Sequence, residues 1–259
     1  MIFNIDFAIK TFWITVKAIP VSLKIVLLSF LLAVLPAFGI AFARIRKIKT
    51  VTIISKFFVS ANRGFPIVLQ ILIVYSFFPF LLNYLISKTG LKINVYDLNP
   101  IIYAYLVFTF QFVVSLSEIF RSALQTVSNG QYEAGLSSGL SAFATYRRII
   151  IPQALVSATP NICNSVVGTL KSTSLAYYMT VKDITGAAMK EASIGCNYFE
   201  AYLDVFLVYV LLCSVTQLLF KLLESKLNIN RRPGKKSISE KNLVSLFNNF
   251  SRRKIYASN

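Results

Sequence analysis

Most residues able to do chemistry in this chain sit where a polar group is costly. Lys171 interrupts a run that is otherwise free of charge from Ile149 to Val181, and Glu118 closes another that starts at Leu98. An ionised side chain held away from water is expensive unless it is paired or used, so both are candidates for handling a charged or zwitterionic solute. Lys171 can attract a carboxylate or pair with Glu118; equally, it can belong to a packing-level ion pair or send its amine to an interface along its apolar stem. Gln70 and Thr173 stand in similar surroundings and either line a pathway or bond a neighbouring helix. Gln111, Ser115 and Glu118 recur at i, i+4 and i+7, and Asn161, Asn164, Ser165, Gly168 and Ser172 recur at three and four, which puts each set on one helical face. Bond-making chemistry has little support. His is absent, and Cys163, Cys196 and Cys213 are odd in number and far apart, which suits neither a disulfide framework nor a metal site; they read as small apolar residues.

The elements that position these groups follow from composition. Of 259 residues, 56% are hydrophobic and 14% charged, yet 27 Lys and Arg stand against 10 Asp and Glu, a formal charge of +17. Soluble domains carry about 25% charged residues, and a mean hydropathy of +0.64 exceeds what a soluble core would hide. The basic excess therefore points to membrane rather than nucleic acid. A bilayer core of about 30 Å needs roughly 20 apolar residues per helix. Charge-free runs meet this at Ile25 to Ala43, Gly64 to Ser87, Leu98 to Ser117 and Ile149 to Leu170, the last continuing past Lys171 to Val181. Val205 to Phe220 does so with its flanks added. Five spans are expected, in an all-α membrane protein.

Lys and Arg concentrate on the cytoplasmic side of such proteins. Arg44 to Lys49, the loop holding Arg121, Arg147 and Arg148, and the tail from Lys221 with ten of the 27 basic residues are therefore expected inside, and the N-terminus outside. No A-x-A site follows the first apolar run, so the first span is expected to be retained. Phe3, Phe7, Ile9, Phe12, Trp13 and Val16 fall mostly on one stripe, and residues 1–17 read as an interfacial amphipathic segment; a similar piece runs from Val51 to Ala61. Gly64 and Pro66 break that piece from the second span. Residues 18–225 form the membrane domain and 226–259 a basic cytoplasmic tail, solvated near anionic lipid.

About thirty residues between the third and fourth spans, within residues 118–153, are too polar to cross and too patterned for a linker. Two short helices meeting at Gly139, with Ser141 capping the second, make a helical hairpin. Glu133-Ala134-Gly135, three residues, Gly139, nine residues, then Ile149-x-Ile151-Pro152 resembles the EAA loop of ABC importer permeases, E-A-A-x3-G-x9-I-x-L-P, with Gly135 and Ile151 departing from its usual Ala and Leu. Arg63-Gly64-Phe65-Pro66 with Gln70, Glu118-Ile-Phe-Arg121 and Lys171-Ser172-Thr173-Ser174-Leu175 resemble F-R-G-T-P-L-L-V-Q, A-E-I-F-R-G and K-D-T-S-L of the histidine and glutamine permease type. The stretch from Lys171 to Lys190 looks most like permeases for cystine and related sulfur amino acids.

That resemblance implies an ABC type I importer permease fold and import of an amino acid across the bacterial cytoplasmic membrane. No G-x-x-x-x-G-K-[ST] loop is present, so the chain is expected to be no enzyme and to hold no cofactor of its own. ATP and Mg would sit on separate ABC ATPase subunits, reached through Glu133, Ala134, Gly135, Gly139, Ile149 and Pro152. An extracytoplasmic substrate-binding protein and a second permease, copy or paralogue, complete the implied assembly, and no nucleic acid is expected. Gln70, Gln111, Glu118, Lys171 and Thr173 are the candidate transport pathway. The rival classes are a secondary transporter or channel not driven by ATP, which would need more spans or a mid-bilayer acid, and a membrane scaffold without transport.

Overall fold

The computed structural model describes residues 3–89 and 95–229. The basic tail from residue 230, and residues 90–94 of the loop that includes Lys92, lie outside the described residues. The chain divides into a unit ending at Glu224 and a second from Ser225, whose described part is the last residues of the final helix.

Nine α-helices follow one another among the described residues: α1 Ile5–Ile45, α2 Lys49–Gly64, α3 Ile67–Thr89, α4 Ile101–Gln125, α5 Asn129–Ser137, α6 Ala142–Thr145, α7 Ile151–Ser172, α8 Ile184–Gly195 and α9 Tyr198–Ile229. The side chain of Asn4 caps α1 by accepting from the Phe7 N–H at 3.0 Å, and Asp6 in the first turn and Arg44 in the last suit the helix dipole. At 41 residues α1 is about 60 Å long, twice a bilayer core.

From Ile5 onward the N-terminal stretch runs without a break into the first span, since Pro20 and Pro36 are both accommodated inside α1. Phe7, Phe12 and Val16 pack against Ile184 and Ala188 of α8 and Val205 and Val208 of α9, so part of the apolar stripe is buried by protein. Ile9 and Trp13 remain exposed.

The core forms where α1 offers small residues. Ala33, Ala37 and Ala41, spaced by four, let Phe112, Leu116 and Phe120 of α4 approach closely, and Val167 and Leu170 of α7 close the cluster. After α1 the backbone turns at Lys47, whose φ of +58° is left-handed, an uncommon conformation for a residue with a side chain. The amphipathic helix α2 follows, burying Ser55 and Val59 and exposing Ile53, Ile54 and Phe57. It ends at Gly64, and Phe65 and Pro66 lead into α3.

The five expected spans fall on α1, α3, α4, α7 and α9. Four of these are long and apolar enough to cross a membrane. The exception is α7, whose 22 residues give about 33 Å but whose Asn161, Asn164, Ser165 and Ser172 lower its apolarity. Nor does the fourth span continue as α-helix to Val181. It ends at Ser172, gives way to a 3-10 helix at Thr173–Met179, and turns at Thr180 with a φ of +60°.

Candidate functional site

The loop between α4 and α7 is a hairpin built as its sequence requires. α5 ends in paired backbone bonds, Leu140 N–H to the Gly135 carbonyl at 3.1 Å and Gly139 N–H to the Leu136 carbonyl at 2.9 Å. Gly139 takes the left-handed φ of +80° that this ending needs and that a side chain would strain. Ser141 then caps α6, accepting from the Ala144 N–H at 3.2 Å. Gly135 is buried against Thr145: a Cβ there would stand 2.5 Å from Thr145 Cγ2 and 2.8 Å from its Oγ1. The departure from E-A-A at this position thus fits the fully buried Thr145 of α6. Glu133, Ala134 and Gly139 are exposed, and so are two large apolar side chains, Leu136 at 42% and Phe143 at 74%.

Between α6 and α7 the helix widens into a π turn at Tyr146–Ile150, closed by the Ile151 N–H reaching the Tyr146 carbonyl. Pro152 explains the widening. It has no N–H to offer one turn back, and its ring crowds that carbonyl. Ile149 is half-buried there and Pro152 exposed.

The candidate pathway residues separate into two groups. Gln70 and Gln111 meet in a row of amides: Asn62 Nδ2 donates to Gln111 Oε1, Gln111 Nε2 to Gln70 Oε1, and Gln70 Nε2 to the Phe65 carbonyl, each at 2.8 Å. The direction of the row is fixed, because a carbonyl can only accept, and every amide above it must then present its NH2 downward. The leftover group is Asn62 Oδ1, buried without a hydrogen-bond partner. Gln111 also lines a cavity of about 270 Å³ with Ser115 of α4 and Ser165, Gly168, Thr169 and Ser172 of α7. Ser115 and Ser165 bond each other across it at 2.9 Å, and beyond its chain neighbours and the adjoining backbone of α7 nothing lies within 4 Å of where a Gly168 Cβ would stand.

Glu118, Lys171 and Thr173 lie elsewhere. Glu118 is held by Arg44 of α1 and by Arg121, one turn on, at 2.8 Å; the Arg44 side chain is only 7% exposed. The pairing of Glu118 with Lys171 is therefore corrected: arginines on α1 and α4 reach the carboxylate instead, each with a planar fork of donors that suits it. Lys171 is exposed and borders a separate cavity with Tyr209, Cys213 and Gln217 of α9. Thr173 is buried, donating to the Leu170 carbonyl at 2.7 Å, with its Oγ1 3.2 Å from the Tyr209 hydroxyl oxygen. That hydroxyl donates in turn to Asp183 Oδ2 at 3.2 Å, while Asp183 Oδ1 caps α8 by accepting from the Gly186 N–H at 2.8 Å. Burial pushes the Asp183 carboxyl from 3.8 up to about 6.

Sequence reading missed Asn62, Arg44 as a partner of Glu118, and Asp183 with Tyr209. Asn62 had a usable signal, an amide eight residues before Gln70 at the polar end of an amphipathic piece. Arg44 was absorbed into the count of cytoplasmic basic residues. Among the described residues no group of three or more His, Cys, Asp or Glu could hold a metal ion.

A bundle of long apolar helices interrupted by one exposed helical hairpin, with polar side chains facing a cavity between two of them, defines a multi-pass membrane transport component. The chain belongs to the family described as "Binding-protein-dependent transport system inner membrane component", whose pattern matches residues 34–229. It is 34% identical over 219 residues to "Probable amino-acid permease protein YxeN" of Bacillus subtilis (strain 168), covering 85% of this chain and 93% of that one. It is 33% identical over 214 residues to "L-cystine transport system permease protein TcyL" of the same organism, covering 82% and 87%. A solved structure, "Crystal structure of an amino acid ABC transporter with histidines", superposes with a TM-score of 0.71 over 87% of this chain and all of that one, at 23% identity, and so shares the fold.

Proposed function

We propose that this chain is the permease subunit of an ABC importer for a polar amino acid, cystine being the first substrate to test. It sits in the bacterial cytoplasmic membrane with its N-terminus outside and C-terminus inside. A separate ATPase binds ATP and Mg and engages the α5–α6 hairpin. The observation that carries this reading is the hairpin surface: Leu136 and Phe143 are exposed on an element too short to enter lipid, beside the exposed Glu133, and exposed apolar side chains rimmed by polar ones suit a protein partner. Alternating access then follows from rigid-body motion transmitted by the hairpin.

Substrate would pass along the cavity of Gln111, Ser115, Ser165, Thr169 and Ser172, with Gln70 and Asn62 holding Gln111 in place. Amides and hydroxyls can replace the water that a zwitterion sheds. The name of TcyL supports cystine, and that of YxeN supports amino acids more broadly. An extracytoplasmic binding protein delivers the substrate and a second permease completes the path.

The test expresses the chain with its ATPase and binding protein and measures ATP hydrolysis with and without cystine, glutamine and arginine. Glu133→Lys and Phe143→Asp should leave the permease in the membrane and abolish substrate-stimulated hydrolysis. Normal stimulation in well-inserted variants sinks the coupling role, and stimulation by glutamine or arginine but not cystine sinks the substrate assignment.

A further inference from the structure

The hairpin is covalently continuous with α4 and α7 through short connections, so it can pull on both directly. α1 is distant in sequence, and only a contact can link it to the hairpin. One runs through aromatic rings. Tyr132 of α5 stands 5.5 Å from Tyr146, centroid to centroid, and Tyr146 meets Phe42 of α1 edge to face at 5.4 Å and 82°. Phe42 is backed by Phe38 at 6.5 Å, which meets Phe120 of α4 edge to face at 5.9 Å. The Arg46 guanidinium lies over the Phe42 ring at 4.6 Å, a cation–π contact that holds the ring.

Two further features make Tyr146 a firm point in this row. Its neighbour Thr145 is fully buried and wedged against Gly135, so α5 cannot shift without moving the start of the π turn. Tyr146 is also the residue whose carbonyl closes that turn, and such widened turns concentrate at working positions in helices. On the far side, α1 carries the buried Arg44 to Glu118 of α4 two residues after Phe42.

We propose that Tyr146 passes movement of the hairpin to α1 through the edge of Phe42, so that an ATPase stroke displaces α1 together with α4 and α7. Tyr146 is a positioning residue here. It faces the bundle rather than the surface assigned to the ATPase, and the inference rests on the coupling role proposed above. Edge-to-face rings transmit a push because close-packed interiors do not yield continuously. A leucine at 146 keeps the apolar character but loses the ring edge.

The experiment uses the assembled permease, ATPase and binding protein in lipid, with Glu133→Lys as the control for hairpin coupling. Tyr146→Leu should keep the copurified ATPase and its unstimulated hydrolysis at parental levels, while stimulated hydrolysis and uptake fall about twofold to tenfold, the range expected for one aromatic pair. Tyr146→Phe, which keeps the ring, should restore both. Phe42→Leu should reproduce the loss, and adding Tyr146→Leu to it should cause little more, as expected for one shared contact. If Glu133→Lys uncouples but Tyr146→Leu stimulates normally, α1 does not take its motion from this contact and the inference fails alone. If Glu133→Lys has no effect, the hairpin reading itself fails. Should Tyr146→Leu shed the ATPase, Phe42→Leu decides, since Phe42 belongs to α1 and not to the hairpin; normal stimulation there overturns the proposal.

Discussion

Gly135→Ala restores the residue common at this position in EAA loops and should nevertheless harm this protein. The new Cβ would lie 2.5 Å from Thr145 Cγ2, 2.8 Å from its Oγ1 and 3.2 Å from its Cβ. Rotating Thr145 gives no relief, because both branches are close and the hydroxyl donates to the Ser141 carbonyl at 3.0 Å. Overpacking costs up to ~3 kcal/mol, and the better helix propensity of Ala returns ~1 kcal/mol, so the net loss is about 2 kcal/mol. Thr145→Ala alone gives up one buried methyl, ~0.8 kcal/mol, and one hydrogen bond, ~1 kcal/mol, again a loss of about 2. In the double variant the two shortest contacts vanish and the propensity gain remains, so the loss is only about 1 kcal/mol. The double-mutant cycle should therefore report a coupling of about 3 kcal/mol. Melting of the detergent-purified protein, with each kcal/mol worth about 2–4 °C for a chain of this size, measures all four corners. A Gly135→Ala protein as stable as the parent, or strictly additive single changes, would refute the reasoning.

Gly168→Leu places an isobutyl group in the open space of the cavity beside Gln111 and Ser115, so uptake should fall by an order of magnitude or more with the complex still assembled, whereas Gly168→Ala should be tolerated; normal uptake by the leucine variant removes this cavity from the pathway. Asp183 keeps its proton to about pH 6 in the fold and to about 3.8 in the unfolded chain, so the unfolded form ionises first. Its stability contribution is intact below about pH 4 and drops by up to about 3 kcal/mol as pH rises through 6. Asp183→Asn keeps an acceptor for the Gly186 N–H and should flatten that slope; parallel melting profiles for the two proteins between pH 4 and 7 would contradict it. For orientation, in a background without native cysteines, a Cys at Lys190 should react with an impermeant thiol reagent applied to intact cells and one at Ser141 should not; labelling at Ser141 reverses the assignment.

Spans were legible because charge-free length is a one-dimensional property, and the hairpin because Gly139 and Ser141 signal a helix end and a helix start through their own chemistry. Continuity was harder to read. The first charge-free run starts only at Ile25, after Lys10, Lys17 and Lys24, yet α1 runs through that stretch and through Pro20, since a helix packed along its length tolerates the bond a proline removes. The end of α7 at Ser172 was hidden because the apolar run continues past it, and apolarity does not separate α from 3-10 backbone. Partners were least accessible. Glu118 looked toward Lys171, the nearest unassigned opposite charge, while Arg44 lies 74 residues upstream and becomes a neighbour only when α1 packs on α4. Gly135 could be read as a departure from a pattern, but the reason for it, Thr145, is visible only in three dimensions.

The fixed direction of the row from Asn62 to the Phe65 carbonyl has an evolutionary consequence. An amide can neither be reversed nor replaced singly there: a carboxylate at 70 would set an acceptor against the carbonyl, and a hydrophobe at 111 would strand the groups on both sides. Positions 62, 70 and 111 should therefore change in concert among natural sequences, with lineages crossing from one set of three to another through compensated steps. Aligned sequences in which each of the three varies independently of the others would show that the row imposes no such constraint.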